Sequence, residues 1–149
     1  ILRSNQFNLT TKRYTEAECE RFMQNHDSYY PFYVTLSDKF GAYGLIGIAI
    51  LYKEQMRAVI DTWLMSCRVL SRNVEKFMMN HAIAKAQEWK CETVQGTYIP
   101  TAKNVLVKDF FSGFDFTRVS ESNGTTVWRM DPRGWQEKKT CITLKDPSL

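Results

Sequence analysis

Phosphate is most simply held by free backbone N–H groups at the start of a helix, and the stretch RVLSRNVE, Arg68 to Glu75, could do this. The run before it, Ala58 to Met65, reads as a buried strand. The run after it, Val74 to Trp89, places Val74, Phe77, Met78, Ala82, Ala86 and Trp89 three and four apart, as a helix would. At such a turn the first N–H groups of the helix have no helical partner and point outward. Those of Ser71, Arg72, Asn73 and Val74 would face an anion, and Arg68 and Arg72 add charge in a form that suits phosphate bidentately. Phosphate loops usually carry glycine so that backbone and ligand can approach closely. This turn has none, although Asn73 tolerates the left-handed conformation better than most residues. Ser71 or Asn73 can equally be a helix N-cap, worth about 1 kcal/mol. Both readings stand on the sequence.

Two further side chains near this turn could do chemistry. Cys67 precedes Arg68 and the helix start, but a nucleophilic thiol needs its pKa depressed, and no histidine lies near it in sequence; a buried cysteine is the plainer reading. Asp61 falls within an otherwise apolar strand, so it sits on a polar face or in a partnered site. No metal site is expected. Cys19, Cys67, Cys91 and Cys141 form no CxxC pair, and His26 and His81 are far apart, whereas zinc wants closely spaced ligand pairs. Four reduced thiols in a cytoplasmic protein are expected.

The elements that must position these residues can be read from periodicity. Phe7 to Arg13 alternates as a strand, and Thr15 with Glu18 forms a capping box for a helix to about Asn25. Pro31 to Lys39 and Leu45 to Tyr52 read as strands joined by the glycine-bearing turn 40–44. Arg57 to Ser66 is a fourth strand, and Thr93 to Ile99 a fifth, closed by Pro100. Lys103 to Ser112 fits a short helix. Phe116 to Ser120 and Thr125 to Met130 make a hairpin around Ser122-Asn123-Gly124. The tail 131–149 is polar and is left without structure. The order β-α-β-β-β-α-β-α-β-β predicts an α+β domain, with a mixed, mostly antiparallel sheet of about seven strands and helices on its faces. The step from 57 to 99 should be a parallel, right-handed crossover.

Bulk properties agree with one domain over residues 1–149: 44% apolar, 24% charged and 13% aromatic. No apolar run reaches the roughly 18 residues a membrane span requires. The net charge of +4 is interspersed, without the basic stripe of a nucleic-acid binder. Neither membrane nor nucleic acid is an expected partner.

The element order, with a phosphate candidate between strand and central helix, resembles the GNAT fold of acyl-CoA N-acyltransferases. That family's loop pattern is Arg/Gln-x-x-Gly-x-Gly/Ala, and Arg68-Val69-Leu70-Ser71-Arg72-Asn73 aligns with it, with the arginine kept and both glycines replaced. A second feature, an asparagine followed by an aromatic pair and a Gly-Phe close, resembles Asn104, Phe110-Phe111 and Phe116. The resemblance implies that CoA, acetyl-CoA or carrier-borne phosphopantetheine is held along Cys67, Arg68, Val69, Ser71, Arg72, Asn73 and Val74. Asn104 would contact the pantetheine arm or cap the following helix. Asp61 or Glu54 would be the base for an incoming amine. Phe111 stands where the family often has a general-acid tyrosine, which Tyr98 or Tyr33 would have to replace, and Ala42 stands where an acidic residue is usual.

Four stretches extend the resemblance over nearly the whole chain: NQFNLTTKRYT (5–15), DKFGAYGLIGIAI (38–50), DTWLMSCRVLSRNVE (61–75) and YIPTAKNVLVKDFF (98–111). They look like the C-terminal GNAT-like domain of FkbH-like proteins. In those proteins an N-terminal HAD-type domain loads a glyceryl group onto an acyl carrier protein, toward methoxymalonyl extender units for polyketides. The resemblance implies that residues 1–6 end a linker from the HAD-type domain. The expected partners are that domain, an acyl carrier protein and a small-molecule acyl thioester. The expected function is acyl transfer; the alternative is a non-catalytic module that docks the carrier protein.

Overall fold

The computed structural model describes residues 17, 18, 20, 21, 28–38, 41–65, 74–101, 104 and 107–138. Its frame is a six-stranded sheet and one long helix. In chain order these are β1 (Tyr29–Asp38), β2 (Gly41–Glu54), β3 (Arg57–Met65), α1 (Val74–Glu88), β4 (Thr93–Tyr98), β5 (Thr117–Ser122) and β6 (Thr125–Met130). The sheet order is β1-β2-β3-β4-β6-β5. All neighbours are antiparallel except β3 and β4, which run parallel through the α1 crossover. The α+β, mostly antiparallel fold expected from sequence is the one observed. The expected strand 7–13 lies outside the described residues, as does most of the first helix, of which Ala17, Glu18, Glu20 and Arg21 are helical.

Hydrophobic spacing sets the core. The helix α1 turns Val74, Met78, Met79, Ala82, Ile83 and Ala86 inward. They meet the sheet face formed by Ala49, Leu51, Ala58, Ile60, Trp63, Met65, Val94 and Tyr98. Lys90, at φ 59, ends the helix in the left-handed conformation that glycine usually supplies. The Cys91 N–H then donates to the Ala86 carbonyl and the Lys90 N–H to that of Gln87. This Schellman-type close aims the chain directly into β4.

Three expectations are corrected. Of the expected turn 40–44, residues 41–44 belong to β2, pairing Leu36 with Gly44 and Asp38 with Gly41; register shifts along β2 absorb the surplus residues. Of the short helix expected over 103–112, the described residue 107 is 3-10 and 108–111 are turns, leading into a 3-10 helix, Ser112–Phe114. The bonds Val107 N–H to Asn104 O, Phe110 N–H to Val107 O and Phe114 N–H to Phe111 O all span three residues. The tail is partly ordered: Pro132–Gly134 form a 3-10 turn, and the Asn80 carboxamide of α1 grips the Lys138 backbone, donating to its carbonyl (2.8 Å) and accepting its N–H (2.8 Å).

Candidate functional site

The parallel pair at the sheet centre is short. The strands β3 and β4 are in register only from Arg57–Thr93 to Ile60–Gly96. Beyond Ile60, β3 continues to Met65 with β2 on one side and no described strand on the other. At the point of parting β3 also bulges: Leu51 faces Ile60 and Ile50 faces Thr62, so Asp61 is the extra residue. The bulge resets the alternation. It returns Trp63 and Met65 to the α1 face and puts Thr62 opposite Ile50 on the other. Asp61 and Thr62 are both buried, and the Thr62 hydroxyl donates to Asp61 Oδ2 at 3.0 Å.

The far side of the split is built from the segment after β4. Asn104 is fully buried and organises it. Its Oδ1 accepts from the Thr101 N–H at 2.7 Å and from the Tyr98 hydroxyl at 3.1 Å, and its Nδ2 donates to the Ile99 carbonyl at 2.8 Å. Its N–H is 3.2 Å from Thr101 Oγ1. Asn104 therefore fixes the turn leaving β4. Burial raises the pKa of Tyr98, assisted by the Asp109 charge. Further along, Phe110 and Phe111 fold back on the strands. A Cβ at Gly96 would lie 2.2 Å from the Phe111 ring, so only glycine lets that ring rest on β4. The Phe110 ring lies 5.2 Å from Phe111, 5.1 Å from Phe114 and 5.2 Å from Trp63 of β3. The Trp63–Phe110 contact thus bridges the parted strands on the α1 face.

The structure brings together only some of the residues expected to act. Asp61, on β3, and Asn104, in the segment after β4, flank the split. Glu54 lies at the other end of β3, opposite Arg57 and about 13 Å along the strand from the bulge. Tyr33 is exposed on β1, two strands away. Val74 opens α1, where its side chain is buried in the core. Cys67, Arg68, Val69, Ser71, Arg72 and Asn73 lie outside the described residues. Glu75 in the first turn of α1 sets its own negative charge against the positive end of the helix dipole. Sequence reasoning passed over Trp63, Thr62 and Gly96. A glycine inside TVQGTYI was the available signal, because strand glycines mark close approach. Among the described residues no three His, Cys, Asp or Glu side chains gather where they could hold a metal, and no helix is long and apolar enough to cross a membrane.

No protein-family model and no curated protein matches the sequence. Solved structures do match the fold. A putative GNAT-family acetyltransferase from Desulfovibrio desulfuricans superposes with TM-score 0.63 at 8% identity, over 80% of this chain and 83% of that one. The fold is that of the GNAT acetyltransferases. A Bacillus subtilis acetyltransferase in complex with CoA gives TM-score 0.55 at 12% identity, over 78% and 85% of the two chains. The PaiA N-acetyltransferase from Thermoplasma acidophilum in complex with coenzyme A gives 0.59 at 10%, over 79% and 80%.

Proposed function

We propose that this GNAT-fold chain binds an acyl thioester, of CoA or of carrier-borne phosphopantetheine, in the split between β3 and β4 and transfers its acyl group. The observation that carries the reading is the loss of strand pairing after Ile60 and Gly96, with the bulge at Asp61. Past Ile60 the side of β3 that faces no described strand would offer backbone N–H and C=O groups in strand spacing, and an extended, amide-bearing pantetheine arm can pair with such an edge. The Asp61 carboxylate would take the proton of an amine as its nitrogen bonds to the thioester carbonyl carbon. The C–S bond then breaks with its electron pair on sulfur, and the proton ends on the thiolate. The diphosphate of CoA would lie at the start of α1, on the N–H groups of Ser71 to Val74 with Arg68 beside them.

The finer reading rests on the four quoted sequence stretches: the chain is the GNAT-like domain of an FkbH-like protein. It would work beside a HAD-type domain and an acyl carrier protein in methoxymalonyl extender-unit synthesis. Three residues favour the second reading, a non-catalytic module that docks the carrier protein. Phe111 has no hydroxyl to offer as an acid, the Tyr98 hydroxyl is committed to Asn104, and Glu75 occupies the charge-binding end of α1.

Titration calorimetry with CoA and acetyl-CoA tests the first reading. The expected dissociation constant is about 100 μM or tighter, near −5.5 kcal/mol, weakening tenfold or more in Arg68→Ala. No heat at millimolar CoA would reject it and make the carrier protein the ligand to titrate.

A further inference from the structure

One buried donor in the split has no use in the protein itself. Trp63 is completely buried, yet its indole Nε1–H has no hydrogen-bond partner. Leaving such a donor dry costs about 1–3 kcal/mol, and a phenylalanine at the same place would avoid the cost. The ring's aromatic neighbour across the split is Phe110, itself packed on Phe111 and Phe114, none of which carries a side-chain acceptor. Position separates this indole from an ordinary core tryptophan. It stands on β3 two residues past the bulged Asp61 and three past the last residue paired with β4. Its ring meets that of Phe110 on the segment beyond β4, so the indole stands beside the gap.

We infer that the Trp63 indole N–H is the donor that receives the carbonyl oxygen of the acyl thioester bound in the split. The inference deepens the function proposed above and rests on it. A thioester carbonyl is an acceptor without a donor of its own, so it fits a site that offers one N–H among apolar rings. As the nucleophile adds to the carbonyl carbon, negative charge gathers on that oxygen, and a fixed donor in a dry site stabilises the charge more strongly than it does the neutral carbonyl. A ligand without the acyl group gains nothing from this contact, so the indole distinguishes acyl-CoA from free CoA.

Trp63→Phe in the 149-residue chain keeps the aromatic bulk and removes the donor. It should unfold at the same denaturant concentration as the parent or a higher one, because it loses only an unpaired group. Calorimetry should show acetyl-CoA bound about tenfold more weakly and CoA unchanged. The four tryptophans give four indole N–H signals in a nitrogen–proton correlation spectrum, and the one missing from Trp63→Phe belongs to Trp63. Acetyl-CoA should move that signal downfield in the parent protein, and CoA should not. If acetyl-CoA binds but leaves the signal in place, or if Trp63→Phe weakens both ligands equally, the indole is not the donor and the thioester reading stands without it. If neither ligand binds the parent chain, both the reading and this inference fall.

Discussion

A single carboxamide does most of the work of shaping the far side of the split. Asn104 is buried with its Oδ1 taking two donors and its Nδ2 serving the Ile99 carbonyl. Asn104→Ala leaves the Thr101 N–H, the Tyr98 hydroxyl and the Ile99 carbonyl without that partner. We expect a loss of about 2–3 kcal/mol in urea unfolding. Tyr98→Phe removes one of the two donors to Oδ1 and should cost about 1 kcal/mol. The double variant should cost less than the sum, because the two side chains share one network. The network also bears on why the described residues 107–114 take turns and a 3-10 helix rather than an α-helix. An asparagine side chain that takes a nearby backbone N–H offers the chain an alternative to helical bonding, and the aromatic pair behind it packs onto β4 and β3 instead of along one helical face. The apolar spacing of Val107, Phe110 and Phe111 resembles a helix, and the pull of Asn104 on 99–101 leaves no trace in that spacing.

Among the elements, the legible ones had one-sided patterns. Helix α1 and strand β6 were visible almost residue for residue, and so was the β5–β6 hairpin. There Asn123 and Gly124, at φ 53 and 83, take the positive angles a tight two-residue turn demands. The bulge at Asp61 was hidden because β3 is buried on both faces, so no polar alternation exists to break. The structure of 132–138 was hidden because the backbone there is held by side chains of α1, Asn80 on Lys138 and Gln87 on Pro132, which leave no periodic pattern. Where α1 meets β1 the contact is also polar: the Tyr30 hydroxyl and His81 Nε2 share a hydrogen bond of 2.7 Å, the Phe32 ring lies edge-on to the imidazole at 4.7 Å, and Lys85 sits over the Tyr30 ring. Burial, then the Lys85 charge, holds the His81 pKa below its usual 6.5, with Glu88 opposing. The folded chain therefore takes up this proton less readily than the unfolded one, and stability present above pH 6.5 is lost as the pH falls below it. We expect the melting temperature to drop more between pH 7.5 and 5.5 in the parent than in His81→Gln, with the difference small because the ring is partly exposed.

At the scale of the molecule, the sheet among the described residues is two three-stranded antiparallel halves, β1-β2-β3 and β4-β6-β5, joined by four paired positions on each side. Among the described residues α1, packed on both, and the aromatic contact from Trp63 to Phe110 also join them. Any ligand seated in the split therefore ties together halves that share few backbone bonds. The mass-action gain is large, about 2.7 kcal/mol at a hundredfold excess over the dissociation constant. Its distribution over the chain identifies the site. With saturating acetyl-CoA, hydrogen exchange should slow in residues 61–65 of β3 and 97–98 of β4, which lie past the last strand pair. It should stay unchanged in β5, whose six residues are all exposed at the far edge. Protection confined to the start of α1 would instead mean that a diphosphate is held while the thioester lies outside the sheet. The parting of the strands would then be a property of the scaffold and not of the reaction.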